Sequence, residues 1–522
     1  MIPGIGIATL ALVAAATVLI GFYGLRISRT TGDFYVASRT VRPWWNASAI
    51  GGEYLSAASF LGVAGLIMVS GSDALWYPVG YTAGFLMLLL FVAAPLRRSG
   101  AYTVPDFAAA RLGSLAVRRA TSVLVVLIGW LYIVPQLQGA ALAVRTTTGL
   151  PGWVGSAAVV AVVVFAVMLG GMRSITFVQA FQFWLKLAAI ALPAVFLALH
   201  VAGRGAPDLG AAGGLFEGAG LPGPGSGAGA ATVGSGLPRG GTGSGAGAGY
   251  LSLSVTAALL FGTLGLPHVL VRFYTNPDGR SARRTTVIVL VLLSVFYVFP
   301  TAFGVLGRLA APGLADQGDA LVLLLPSALV AGPAGTALSA LVLAGAMAAF
   351  LSTTSGLLVS VAGVMSQELF GGSVRGFRTA AALSALVPLA AAVIASEQAL
   401  AGAVGLVFAF TASTLCPLLV LGIWWRGLTA AGAIAGMAAG ALACGSALAV
   451  SAALATGPLP GALGVLAVAC AQPAAWSVPL AFGTMAAVSR ATRSAIPRGT
   501  DRFLVRLHTP EPSPEPTAGR AR

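Results

Sequence analysis

Charge is what this sequence lacks most. Asp, Glu, Lys and Arg make up 8% of its 522 residues, against about 25% in an ordinary soluble domain. So little charge cannot cover a water-facing surface, and a soluble enzyme or binding domain is excluded. Cysteine is equally sparse. Cys416, Cys444 and Cys470 all fall in apolar stretches, which implies no disulfide or metal framework. His200, His268 and His508 are the only histidines, and they stand too far apart for a zinc or haem motif. No nucleophile–base triad is visible, so the chain does not read as an enzyme, and no cofactor is expected. Lysine is the scarcest charge of all: Lys186 is the one lysine among 29 basic residues. The N-terminus lacks a basic leader, so it reads as a true span rather than a cleaved signal.

Apolar length takes the place of charge. Hydrophobic residues make up 57% of the chain. The runs are long and do not alternate, which predicts helices rather than strands. Windows of about 20 residues predict thirteen spans, near 4–25, 46–70, 75–96, 120–144, 152–171, 176–200, 250–269, 285–308, 335–367, 379–396, 399–424, 429–455 and 464–489. The expected fold class is an all-α polytopic membrane protein of about 13 transmembrane helices. Residues 319–332 are too short to cross and read as a surface or re-entrant helix.

The formal net charge of +15 resembles a nucleic-acid signal, but its placement argues for lipid. With the N-terminus outside, 24 of the 29 basic residues, Arg111 and Arg272 among them, lie in inner loops and the tail. Four (Arg145, Arg204, Arg239, Arg308) lie outside, and Lys186 is within a span. That bias predicts an outside N-terminus, an inside C-terminus and a cell-membrane location, with the bilayer as partner and no nucleic acid. The chain divides into a first helix and cytoplasmic loop (1–45), two five-helix halves (46–200 and 250–424) and a flexible extracellular Gly/Ala-rich loop between them (201–249). Two further helices (425–489) and a disordered cytoplasmic tail (490–522) complete it.

Three stretches carry chemistry. Ala49–Gly65 reads AIGGEYLSAASFLGVAG. Gly51 and Gly52 weaken its helix, and Glu53 lies roughly 12 Å into the span. Such an acid is neutral, paired or water-facing; it either bonds a neighbouring helix or tunes a cation site. Unwinding over Gly51–Leu55 would free carbonyls for a cation. In Ala349–Thr353 (AFLST) the Ala349 carbonyl and the Ser352 and Thr353 hydroxyls can converge, and hard cations favour such oxygens. Hydroxyls that merely bond back to their own helix are the alternative. Lys186 shares a face with Gln179 and Gln182 at i−7 and i−4; it pairs with Glu53, meets a substrate carboxylate or faces water. In the third stretch, 261–285, Gly262, Gly265 and Pro267 break a helix. The first helix of each half is therefore the broken one, which points to a site at the interface of the halves.

At these residues the chain resembles the sodium:solute symporter family over nearly all of 30–430. The patterns are GDFYVASR at Gly32–Arg39, SAASFLGVAG at Ser56–Gly65, GGM with its Gln-bearing helix at Gly170–Gln182, and AFLST at Ala349–Thr353. GTLGLPHVLVRFYT at Gly262–Thr275 is most similar to the cation/acetate and monocarboxylate symporters. The resemblance implies a five-plus-five inverted-repeat core of the leucine-transporter type. It implies Na+ as the coupling ion, held by the carbonyls of Gly52, Leu55 and Ala349 and the hydroxyls of Ser352 and Thr353. Ser59 matches a sugar-contacting position, and Gln182 matches a glutamine common in the family. Gln179 stands where many members have Asp, and Glu53 where acetate-type members have Asp. The expected activity is import of a short monocarboxylate such as acetate with Na+ (or H+), propionate, pyruvate or proline being the other solutes. The substrate is expected near Ser56, Ser59, Phe261, Gly262 and Thr263, with Glu53, Lys186, Gln179 and Gln182 tuning charge or coupling.

Overall fold

A computed structural model describes residues 3–25, 37–204, 245–394, 400–454 and 461–510. Their regular elements are helices: α1 (Pro3–Leu25), α2 (Pro43–Tyr54), α3 (Val63–Ser70), α4 (Trp76–Phe91), α5 (Ala93–Arg98), α6 (Val104–Leu112), α7 (Leu115–Thr148) and α8 (Gly152–Gly203) precede the Gly/Ala-rich stretch. After it come α9 (Gly245–Gly265), α10 (Pro267–Phe273), α11 (Gly279–Ala310), α12 (Leu321–Leu329), α13 (Gly332–Leu369), α14 (Val374–Ile394), α15 (Leu400–Trp424), α16 (Ala430–Leu454), α17 (Gly461–Ala471), α18 (Ala474–Ala491) and α19 (Thr500–His508). Among the described residues, nine helices are long and apolar enough to cross a membrane, or up to twelve if each of three bent pairs is one span. The protein is thus a multi-pass membrane protein. Gly171 interrupts the 52-residue α8 with φ 54° and ψ −152°, a conformation open to glycine because it has no Cβ.

Two of the bent pairs shape the centre. α2 and the segment Ala58–Ser70 meet at 72°, and α9 and α10 meet at 44°. Both breaks fall within the predicted stretches, at their far ends rather than at Gly51, Gly52 or Gly262. α2 stays helical through Gly51 and Gly52 and ends at Leu55, where ψ is 85°; a π turn, Ala58–Gly62, then resumes the helix. The two glycines serve close packing instead. A Cβ on Gly51 would press on the Phe183 ring, and one on Gly52 would collide with the Gln179 carbonyl. Small residues are the usual means of bringing membrane helices together. Likewise α9 runs through Gly262 and Gly265 and breaks at Leu266, whose ψ is 111°. Pro267 forces that extended conformation on the residue before it.

Two other expectations change, and one goes untested. Most of 201–249 lies outside the described residues. Residues 490–510 are not a disordered tail: α19 packs on the body through buried Leu507, Arg98 reaches the Leu507 carbonyl at 3.2 Å, and Asp501 pairs with Arg426 at 2.7 Å. The loop count of arginines also included two that are buried. Arg111 spends its guanidinium on the carbonyls of Gly422 and Trp425, each at 3.0 Å. Arg272 is wholly enclosed. The predicted non-spanning segment at 319–332 is present as the nine-residue α12.

Candidate functional site

The break after α2 leaves carbonyls without helical partners. Continued helix would have closed Glu53 O with the Ala57 amide. That amide instead donates to Gln136 Oε1 of α7 at 2.9 Å, and Glu53 O accepts from the Thr353 hydroxyl of α13 at 2.7 Å. Gly52 O accepts from the Ser352 hydroxyl at 2.6 Å, and Ser352 Oγ also lies 3.1 Å from Ala349 O. The oxygens of Gly52, Ala349 and Ser352 therefore converge where α2 ends against α13, and Thr353 fastens the next α2 carbonyl, that of Glu53. A helix C-terminus carries partial negative charge and favours a cation.

That cradle holds a cation from the chain itself. Lys186 of α8 sends its ammonium to the carbonyl of Gly52, to Leu55 O at 2.7 Å and to Ser352 Oγ at 3.0 Å. An ammonium has three donors, and all three are engaged. The side chain is fully buried.

Beside the cradle lies a second charge network. Arg272 Nε donates to Glu53 Oε2 at 2.7 Å, with both side chains fully buried. Its other nitrogens reach the Thr176 hydroxyl at 2.7 Å and Gln179 Oε1. Gln179 Nε2 in turn donates to Ser352 O at 2.7 Å. The network locks α2, α8, α10 and α13 together. Gly356 is its floor, since a Cβ there would land on the Glu53 carboxyl.

On the other side of the α2 break lies an aromatic cluster. Tyr132 meets His268 at 5.3 Å and Phe408 at 5.9 Å between ring centroids. Tyr81 stacks parallel to Tyr297 at 5.7 Å and meets Phe408 edge-on at 5.3 Å. Ser59 bonds Tyr297 OH at 2.9 Å. Ser56 Oγ, Tyr81 OH, Tyr132 OH, Gln136 Nε2 and both His268 ring nitrogens are buried without a hydrogen-bond partner. An unsatisfied buried polar group costs about 1–3 kcal/mol, so their gathering in one place marks a site built for a polar ligand.

A family model, the sodium:solute symporter family, matches residues 34–211 and 244–440. The chain belongs to the sodium:solute symporter family. Its relatives include the uncharacterised symporter YwcA of Bacillus subtilis, 29% identical over 453 residues and covering 82% of each chain. Another is the monocarboxylic acid transporter of Corynebacterium glutamicum, 28% identical over 454 residues, with 80% of this chain and 78% of that one covered. Among solved structures, a Na+-coupled sialic acid symporter aligns with a TM-score of 0.68 at 16% identity, covering 92% of this chain and 98% of the other. MhsT, solved with L-phenylalanine, aligns with a TM-score of 0.53 at 12% identity, covering 85% and 99%. At such identities these likenesses establish the leucine-transporter-type fold alone. Family membership supports sodium-coupled symport, and the family and the structural neighbours are transporters.

Within this symporter, the sequence-predicted residues divide sharply. Gly52, Leu55, Ala349, Ser352 and Thr353 come together. Glu53 and Gln179 sit beside them, but Glu53 pairs with Arg272 and not with Lys186. Gln182 leaves the group: three residues turn a helix by 300°, about 60° off the Gln179 face, and its Nε2 bonds Thr17 of α1 at 3.0 Å. Of the expected substrate residues, Ser56 and Ser59 line the aromatic cluster. Thr263 is tied to its own helix at Leu259 O, 2.7 Å, and to Tyr54 OH, 3.0 Å. Phe261 turns outward onto Phe482 of α18, and Gly262 packs on the Phe408 backbone. Sequence reasoning missed Arg272, Tyr81, Tyr132, Gln136, His268, Tyr297 and Phe408. Only Arg272 left a signal, as a lone charge in the apolar run VLVRFY directly after a helix break.

Proposed function

We propose that this protein is a secondary active symporter that carries a short monocarboxylate, acetate foremost, into the cell together with a cation. It would cross the membrane thirteen times, the break at Gly171 dividing α8 into two spans, with its N-terminus outside and its C-terminus inside. The observation that carries the substrate class is the charge of the buried centre. Two basic side chains, Arg272 and Lys186, are fully enclosed there with one acid, Glu53, a formal excess of one positive charge. Burying an uncompensated charge is expensive, and one carboxylate in the adjoining aromatic cluster would neutralise it. The cluster supplies donors (Ser56, Tyr81, Tyr132, His268, Gln136) for an anion, and the Phe408 ring for a methyl or ethyl tail. The C. glutamicum relative named as a monocarboxylic acid transporter supports the same class.

In this reading the α2 break couples the solute to the fold. Its carbonyl side is held by Lys186 and its Ser56–Ser59 side faces the solute, so filling the solute site stabilises one arrangement of the broken helix. The resulting shift toward the opposite-facing state is bounded by the solute's differential affinity for the two states. The test is uptake of labelled acetate by proteoliposomes with unlabelled competitors. Propionate and pyruvate should compete, and proline should not. Uptake abolished by proline but untouched by propionate and pyruvate would overturn the monocarboxylate assignment.

A further inference from the structure

The cradle fits a cation, and the geometry shows which one. Its oxygens are neutral, they cap a helix C-terminus, and they lie at hydrogen-bonding distance from an ammonium. Gly52 O, Leu55 O and Ser352 Oγ are three of the five oxygens that the family resemblance assigns to Na+, and all three bind Lys186 Nζ. A metal ion at their convergence would have to occupy the ammonium's place. A second cation there would also raise the formal excess charge of the enclosed centre from one to two, with Arg272 already committed to Glu53 and, among the described residues, no further acid at the cradle to offset it.

We propose that the Lys186 ammonium is the resident cation of this cradle, standing where a family member would hold Na+, and that Na+ enters only when Lys186 is removed. The lysine arises from α8 and bridges it to the end of α2 and the middle of α13, so it ties together the elements that a bound metal would tie. The side chain is wholly buried and comes from the helix face that also carries Gln179. The inference rests on the symport reading for its functional consequence: transport should not require Na+ at this position. Its structural content stands independently of which solute is carried.

The experiment compares thermal unfolding of the purified full-length protein in NaCl and in choline chloride at equal ionic strength. A ligand that binds only the folded state raises the melting midpoint. Na+ should raise that of Lys186→Ala by several degrees more than that of the unaltered protein, and the additional gain should vanish in Lys186→Ala/Ser352→Ala. An equal gain in the unaltered protein, no gain in Lys186→Ala, or a gain that survives the Ser352 change would each overturn the proposal. Labelled acetate uptake by the unaltered protein, with Na+ replaced by choline, supplies a readout free of folding defects. Undiminished uptake is expected, and a strict Na+ requirement overturns the proposal. Absence of acetate uptake in every buffer would sink the assignment of acetate alone, because the melting comparison needs no solute.

Discussion

The cation cradle and the aromatic cluster lie on opposite sides of one helix break, yet their hydrogen bonding is opposite. In the cradle every donor of Lys186 is matched, and the Ser352 and Thr353 hydroxyls each find a carbonyl. In the cluster Ser56, Tyr81, Tyr132 and His268 all hold unpartnered polar atoms. A satisfied buried network rigidifies, whereas an unsatisfied one carries a standing cost. The cradle and the Arg272–Glu53 network beside it therefore act as an internal clamp on α2, α8, α10 and α13. The cluster gains most from a ligand that supplies what its side chains lack. Substitutions in the two regions should separate accordingly: those at the clamp appear first as lost stability, and those at the cluster as lost affinity.

The largest effect is expected at Arg272. Arg272→Leu strands the Glu53 carboxylate and leaves Gln179 Oε1 and Thr176 without their donor. Breaking one side of a buried pair costs about 3–5 kcal/mol. Unfolding in detergent should show a loss of that order, with part of it recovered in Glu53→Gln/Arg272→Leu, where the stranded charge is gone. A loss no larger than that of an exposed arginine would break the distinction between clamp and cluster.

Gly356→Ala tests the same side by volume. Its new methyl group meets the Glu53 carboxyl, and overpacking of this kind costs about 1–3 kcal/mol. The melting midpoint should fall, and solute affinity should fall with it only as far as α2 shifts.

Tyr132→Phe probes the other side. The ring remains against His268 and Phe408 while an unpartnered hydroxyl is removed. Stability should hold or rise slightly. A hydrogen bond to a charged group is worth about 1.5–3 kcal/mol, so the KM for a monocarboxylate should rise roughly tenfold or more. An unchanged KM would remove Tyr132 from the solute contacts.

The clamp was partly legible from sequence because local spacing encodes it. Ser352 and Thr353 are adjacent and Ala349 is one turn away, so any helix brings their oxygens together. The α2 carbonyls were legible through the weakness of Ala49–Gly65, although the break itself falls at Leu55, where Gln136 and Thr353 compete for the groups that would have continued the helix. The occupant was not legible. Pairing Lys186 with the nearest deep acid is reasonable one residue at a time, but α10 brings Arg272 to Glu53 from 219 positions away and leaves the lysine the carbonyls. The cluster was least legible. Its members are Tyr, Phe and His residues within apolar helices, and only the rotation of each helix in the bundle decides whether such a ring faces the centre, as Phe408 does, or another surface helix, as Phe261 does.

The smallest effect concerns the start of α15, the helix that brings Phe408 into the cluster. Asp319, in the connection between α11 and α12, accepts from the Leu400 amide at 3.0 Å. Burial pushes its carboxyl up to about 6 from 3.8, with the Leu400 amide opposing. The folded state thus holds a proton that the unfolded chain has already released. Stability contributed by protonated Asp319 is full below about pH 4 and is lost as pH rises toward about 6, then stays level. Asp319→Asn keeps an acceptor for Leu400 without the charge. It should flatten the fall in melting midpoint between those limits and raise the midpoint modestly at pH 7. Because Asp319 anchors the cluster's helix and touches nothing in the clamp, the variant's Na+ response should match that of the unaltered protein. A slope unchanged by the substitution would show that α15 is not held through this carboxyl.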